Sequence, residues 1–143
     1  VSPKFALDTS CVVPLLSFWH DFHARTKQDY ESRRARRQQV VIPVHALLES
    51  YAVLTRGPRR LTPDVARRIL EESFYHTAEI AGLSGPAAWS SIGDLGVRDM
   101  AGGVIYDAVI ARTAFDAGAR LLLTWNTRDF LRVAPAGLEI RQP

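Results

Sequence analysis

Apolar residues occur along the chain in short runs separated by amphipathic stretches, and this pattern predicts an alternation of strands and helices. Residues 4–8 (KFALD) read as a strand and Gln39–Pro43 (QVVIP) as a second. Between them, Thr9 and Ser10 predict the cap of a helix that tolerates Pro14 in its first turn and runs through Leu15, Leu16, Phe18, Trp19 and Phe22. A basic helical or loop segment leads into the second strand. Residues 44–56 predict a helix that stops at Gly57-Pro58. Thr62 and Pro63 predict the cap and first position of the next helix, whose apolar stripe is Val65, Ile69, Leu70 and Phe74. Residues 77–83 predict a third strand, and Gly85-Pro86 opens a helical stretch carrying Trp89 and Ile92. Residues 104–117 form the strongest helical pattern, ended by Gly118, and 121–125 (LLLTW) read as a buried strand. Residues 138–140 add a last one. Short apolar strands separated by helices predict an α/β domain with a mostly parallel central sheet. In such sheets, sites gather beyond the carboxyl ends of the strands.

Composition bounds this picture. The 143 residues are expected to form a single domain over 1–143 with one core; 47% are hydrophobic and 23% charged, which excludes a disordered or fibrous chain. Cys11 is the only cysteine, so an intramolecular disulfide is excluded and a reducing, cytoplasmic setting is expected. No apolar run approaches the roughly 18–20 residues of a membrane span, and the first residues lack the features of a secretory signal.

Charge changes the picture further. The net charge is +3, but residues 25–37 and 56–68 together hold eleven basic and three acidic residues, a net +8. The other 117 residues hold seven basic and twelve acidic, a net −5. A basic rim around an acidic centre attracts phosphate backbones; solvated helix faces give the same pattern.

Four acids stand out. Asp8 directly follows the first strand, where a site or a helix N-cap is expected. At 100° per residue, Arg112, Thr113 and Asp116 share one side of the 104–117 helix, and Asp107 lies opposite with Ile110, Ala111 and Ala114. An inward carboxylate costs several kcal/mol unless it is paired or bound to metal. The helix dipole returns only about 0.3–1 kcal/mol. A cation is therefore expected near Asp107, either a buried arginine or a bound ion. Glu49 shares a helix side with His45 and Arg56, at a cleft rim or in solvent. Asp129 lies in the polar stretch TWNTRD after the LLLTW strand, a place for ligands or for turn formers. Cys11 reads as a core residue, His20 and His23 as helix-surface residues, and Trp19, Trp89 and Trp125 as core. No zinc spacing, phosphate-binding glycine loop or Ser-His-Asp arrangement is present.

Four segments in this order resemble the PIN-domain ribonucleases, and among them the VapC-type toxins of bacterial toxin–antitoxin pairs: Leu7-Asp8-Thr9-Ser10, ALLESYAVLTR from Ala46, IYDAVIARTA from Ile105 and LLLTWNTRDF from Leu121. The resemblance implies a three-layer α/β/α PIN-like fold and a metal-dependent endoribonuclease that uses Mg²⁺ or Mn²⁺. It assigns the catalytic acids to Asp8, Glu49, Asp107 and Asp129, with metal on Asp8, Asp107 and Asp129. Thr9, Ser10, Thr124 and Asn126 are implied in support. It also implies an RNA substrate, a VapB-like antitoxin and a homodimer. Arg33, Arg34, Arg36, Arg37, Arg56, Arg59 and Arg60 would then flank the acidic pocket and grip RNA or the antitoxin. A non-catalytic PIN-like module that binds RNA or protein is the competing reading. A haloacid-dehalogenase-like phosphatase needs an aspartate where Ser10 stands. A receiver domain needs a late lysine, and only Lys4 and Lys27 exist.

Overall fold

The computed structural model describes residues 3–143. Its elements run β1 (Lys4–Leu7), α1 (Thr9–Leu16), α2 (His23–Ala35), β2 (Gln39–Pro43), α3 (Val44–Leu54), α4 (Pro63–Phe74), β3 (Ala78–Ala81), α5 (Gly85–Val97), α6 (Val104–Asp116), β4 (Leu121–Leu123), α7 (Thr127–Leu131) and β5 (Glu139–Arg141). The five strands form one sheet in the order β3-β2-β1-β4-β5, and every pairing is parallel. Parallel sheets need helical crossovers, which cover both faces. Accordingly Phe5, Val41, Ile42, Leu122 and Leu123 on the three central strands are at most 1% exposed. The edge strands are short and carry Glu79, Glu139 and Arg141, which discourages pairing with another sheet. This is the three-layer α/β/α arrangement expected from the sequence.

Local signals place most boundaries. The Thr62 hydroxyl accepts from the Val65 amide and Pro63 follows at the first helical position, as the pattern predicts. Gly118 ends α6 with φ +97°; its amide reaches the Phe115 carbonyl and the Ala119 amide reaches that of Ala114, a Schellman closure. The first helix departs from expectation. It ends at Leu16 instead of continuing through Phe22, and α2 starts afresh at His23. Residues 17–22 form a chain of tight turns, with the His20 amide on the Ser17 carbonyl and the His23 amide on that of His20. Thr113 is another correction: it is 2% exposed rather than solvent-facing, and burial is tolerated because its hydroxyl is satisfied by the Val109 carbonyl of its own helix. Trp89 is 74% exposed rather than core. Cys11 is fully buried, as expected of a small apolar side chain. Among the described residues no helix is long and apolar enough to cross a membrane.

Candidate active site

Parallel order places β1 at the centre of the sheet, so the residue after it emerges between the ends of β2 and β4. That residue is Asp8. Its backbone carbonyl starts α1 by accepting from the Cys11 and Val12 amides, but its side chain caps nothing. Instead the Ser10 hydroxyl donates to Oδ1 at 2.7 Å and the Thr124 hydroxyl to Oδ2 at 2.8 Å. Each hydroxyl is itself set by a backbone amide, Ser10 by Trp125 N–H and Thr124 by Asn126 N–H. Asp8 is 2% exposed. Burial raises its pKa to about 7, against the hydrogen bonds from Ser10 and Thr124 and the nearby Cys11 amide dipole, and with a further push from the charge of Asp107. Thr124→Val removes the donor to Oδ2, a bond to a charged group worth about 1.5–3 kcal/mol. Carboxyl NMR titration is then expected to show Asp8 ionising well above its parent value.

Asp107 sits in the first turn of α6, on the inner side that helical periodicity assigns to it, and is half-buried. Among the described residues no basic group makes an ion pair with it or with Asp8. A buried arginine partner for Asp107 is therefore absent. Its pKa is raised, first by desolvation, then by the charges of Asp129 and Glu49; Arg132 and His45 only reduce the rise.

Both carboxylates open into one cavity of about 420 Å³. Glu49 on α3 lines it too, as do Thr9, Ser10 and Asn126. The Thr9 hydroxyl donates to Glu49 Oε1, while His45 Nε2 stands 3.8 Å from Oε2. Glu49 is thus at a cleft rim, not in bulk solvent. Asp129 is exposed on α7 and lies outside the cavity lining, which Trp125 and Asn126 reach from the end of β4. Asp129 reaches Asp107 by its field rather than by contact.

Sequence reasoning missed part of the lining. His20, taken for a helix-surface residue, lies in the turn between α1 and α2 and faces the cavity with Phe22. Trp125, taken for core, is half-buried and lines it as well. The signal available was the SFWHDF run, since aromatics held in a turn rather than a helix have no core face to fill. His23 is half-buried and bonds the Pro14 carbonyl through Nδ1.

The arginine rim needs correction. Arg56 lines the cavity, and Arg59 and Arg60 are exposed in the loop beyond α3. Arg33 is 8% exposed, paired with Asp29 at 2.8 Å and packed over the Phe5 ring. Arg34 bonds the Gln38 carbonyl. Arg36 and Arg37 immediately precede β2, at the amino edge of the sheet, opposite the edge that carries the acids. The reason is direction: α2 must return the chain to the start of a strand parallel to β1, so its basic end points away from the cleft. Arg67 and Arg68 in the second basic segment are tied to Asp64 and Glu71 on their own helix.

The donor set is one of hard carboxylate and hydroxyl oxygens. Among the described residues no three His, Cys, Asp or Glu side chains converge as a ready metal cage. Two carboxylates without cationic partners fit an ion that keeps most of its waters, as Mg²⁺ does, and do not fit a protein-enclosed site.

A parallel five-stranded sheet with acids at the end of its central strand and on α6, neither of them ion-paired among the described residues, defines an α/β protein with an acidic cleft. The chain belongs to the PIN domain family, whose model matches residues 5–135. It is similar to Ribonuclease VapC27 of Mycobacterium tuberculosis, with 37% identity over 131 residues, covering 90% of this chain and 87% of that protein. It is also similar to Ribonuclease VapC40 of the same species, at 32% identity over 130 residues, covering 90% of this chain and 88% of that protein. Solved structures share the fold. The sarcin–ricin-loop-cleaving toxin VapC20 of Mycobacterium tuberculosis aligns with a TM-score of 0.72 at 14% identity, covering 92% of this chain and 96% of that one. VapBC2 from Rickettsia felis, bound to a promoter DNA fragment, aligns at 0.72 and 19% identity over 98% of this chain and 99% of that one.

Proposed function

We propose that this chain is a divalent-metal-dependent endoribonuclease acting in the cytoplasm, the toxin of a type II toxin–antitoxin pair. The observation that carries the reading is the pair Asp8 and Asp107, two carboxylates on one cavity with no basic partner among the described residues. The ribonuclease names of VapC27 and VapC40 support the substrate class. A VapB-like antitoxin, which the VapBC complexes of similar fold also carry, is the proposed protein partner, and a homodimer is the proposed assembly.

Asp8 and Asp107 would hold Mg²⁺ or Mn²⁺ directly, Asn126 would offer its amide oxygen, and Asp129 would attract the ion through its field. When bound, the cation supplies Lewis-acid polarisation of the phosphate and lowers the pKa of water. Ser10 and Thr124 fix the Asp8 carboxylate with one hydrogen bond to each oxygen. Glu49, set by Thr9, orients the attacking water and receives its proton. In-line attack on phosphorus breaks the bond to O3′ and leaves a 5′-phosphate and a 3′-hydroxyl. Arg56 at the rim contacts the flanking backbone phosphate.

The test is direct. Purified protein incubated with structured RNA and Mg²⁺ or Mn²⁺ is expected to produce 5′-phosphorylated fragments, and chelation is expected to stop the reaction. Intact RNA under both ions would refute the reading.

A further inference from the structure

The cleft has an aromatic wall that the acid chemistry leaves unused. Phe22 lies flat on Trp125, with ring centroids 4.1 Å apart and planes within 16°, and His20 stands beside Phe22 at 5.7 Å, tilted by 41°. All three line the same cavity as Asp8 and Asp107. The wall is rigidly mounted. The Trp125 indole N–H donates to the Thr26 hydroxyl at 3.0 Å, and its backbone N–H donates to the same Ser10 hydroxyl that holds Asp8. Phe22 nevertheless remains 43% exposed. A phenylalanine that only closed the core would be covered; this one keeps its apolar surface open inside an acidic cleft. Sheet order sets what lies across from it. Trp125 follows β4 on one side of β1, and α3, with Arg56 just past its end, follows β2 on the other.

We propose that the Phe22–Trp125 wall is a nucleobase subsite: one unpaired base of the RNA stacks on Phe22 while the adjoining phosphate lies over Asp8 and Asp107. This rests on the ribonuclease reading and assigns to named side chains the contact with an unpaired base beside the cut. A base inside an A-form duplex has both faces covered by its neighbours, whereas a splayed base offers a free π-face to an aromatic side chain. Arg56 then takes the backbone phosphate on the far side of the acids. Trp89 is also exposed, but it lies on α5 outside the cavity and takes no part.

Binding tests the wall without turnover. Asp107→Asn protein is titrated into a short fluorescein-labelled single-stranded RNA of mixed sequence, and into the same strand annealed to its complement, with anisotropy as the readout. The single strand is expected to bind tighter than the duplex. Adding Phe22→Ala is expected to weaken single-strand binding about tenfold or more and to leave duplex binding unchanged. Phe22→Trp is expected to restore it; Phe22→Leu, which packs on Trp125 without a π-face and guards against a folding defect, is expected not to. Trp89→Ala is expected to change nothing. Equal single-strand affinity for Phe22→Ala, an equal loss on duplex, full rescue by Phe22→Leu, or no single-strand binding by the Asp107→Asn parent overturns the proposal. Cleavage separates the two readings. If the native chain cuts RNA and Phe22→Ala cuts equally fast, the wall is wrong and the nuclease stands. If binding depends on Phe22 and no ion supports cutting, the wall stands and the nuclease falls.

Discussion

Asp107→Asn is expected to slow RNA cleavage by at least about a hundredfold while leaving the fold intact and the melting temperature unchanged or raised. Residues that merely orient metal ligands cost about 10–100-fold when lost, and Asp107 is proposed as a ligand itself. The stability half of the result follows from the environment of the side chain. Its carboxylate is half-buried, has no basic partner among the described residues, and is pushed toward protonation by desolvation and by the charges of Asp129 and Glu49. The amide keeps the shape and removes the charge, so nothing stabilising is lost from the metal-free protein. A structural carboxylate would behave oppositely, since breaking a buried ion pair costs about 3–5 kcal/mol. Cleavage rates and thermal melts on the same preparation check both halves; a melting point lowered by many degrees together with residual cleavage would assign Asp107 to structure.

The second large effect is on pH. Metal-free protein is expected to lose stability as pH rises from about 4 to about 7 and to level off above that. An unfolded aspartate titrates near 3.9, whereas folded Asp8 keeps its proton up to about 7 because burial disfavours the anion. Between those values the folded chain binds more protons than the unfolded one, so unfolding becomes easier with each step upward in pH. The full effect is on the order of 4 kcal/mol at 1.36 kcal/mol per pKa unit, and the raised pKa of Asp107 acts in the same direction. Urea unfolding in chelator at pH 5 and pH 7.5 measures it. Asp8→Asn, which has no proton to lose, is expected to flatten most of the slope. Mn²⁺ is expected to stabilise the native protein at pH 7.5 far more than at pH 5, because metal and proton compete for the same carboxylate. A parent protein as stable at pH 7.5 as at pH 5 in chelator would contradict the burial of Asp8.

Order and type of most elements were legible because each rests on local chemistry; α7, a helix where a polar loop was expected, was not. The β4 segment has three consecutive leucines and no polar alternation, which only a strand covered on both faces tolerates. Thr62-Pro63 and Gly118 act within a turn of where they stand. The inward position of Asp107 was legible from helical rotation alone, since Arg112 and Asp116 had to occupy the solvent side and they pair there at 2.9 Å. The first helix was misjudged for a similar reason: Phe18, Trp19 and Phe22 continue an apolar pattern, and nothing local reveals that Phe22 is needed against Trp125, a residue more than a hundred positions later.

By itself, then, the sequence determined an α/β domain, the acids available to it, most of the helix ends and the inward turn of Asp107, all consequences of periodicity and capping within a few residues. Tertiary structure decided which of those acids meet. Parallel pairing put Asp8 between the ends of β2 and β4, brought Thr124 to its second oxygen and set Asn126, not Asp129, in the cavity. The same strand direction sent Arg33–Arg37 to the opposite edge, so a charge run that looked like a rim is not part of the cleft. Composition records how many charges a chain carries; only the direction of its crossovers determines which end of the sheet each one reaches.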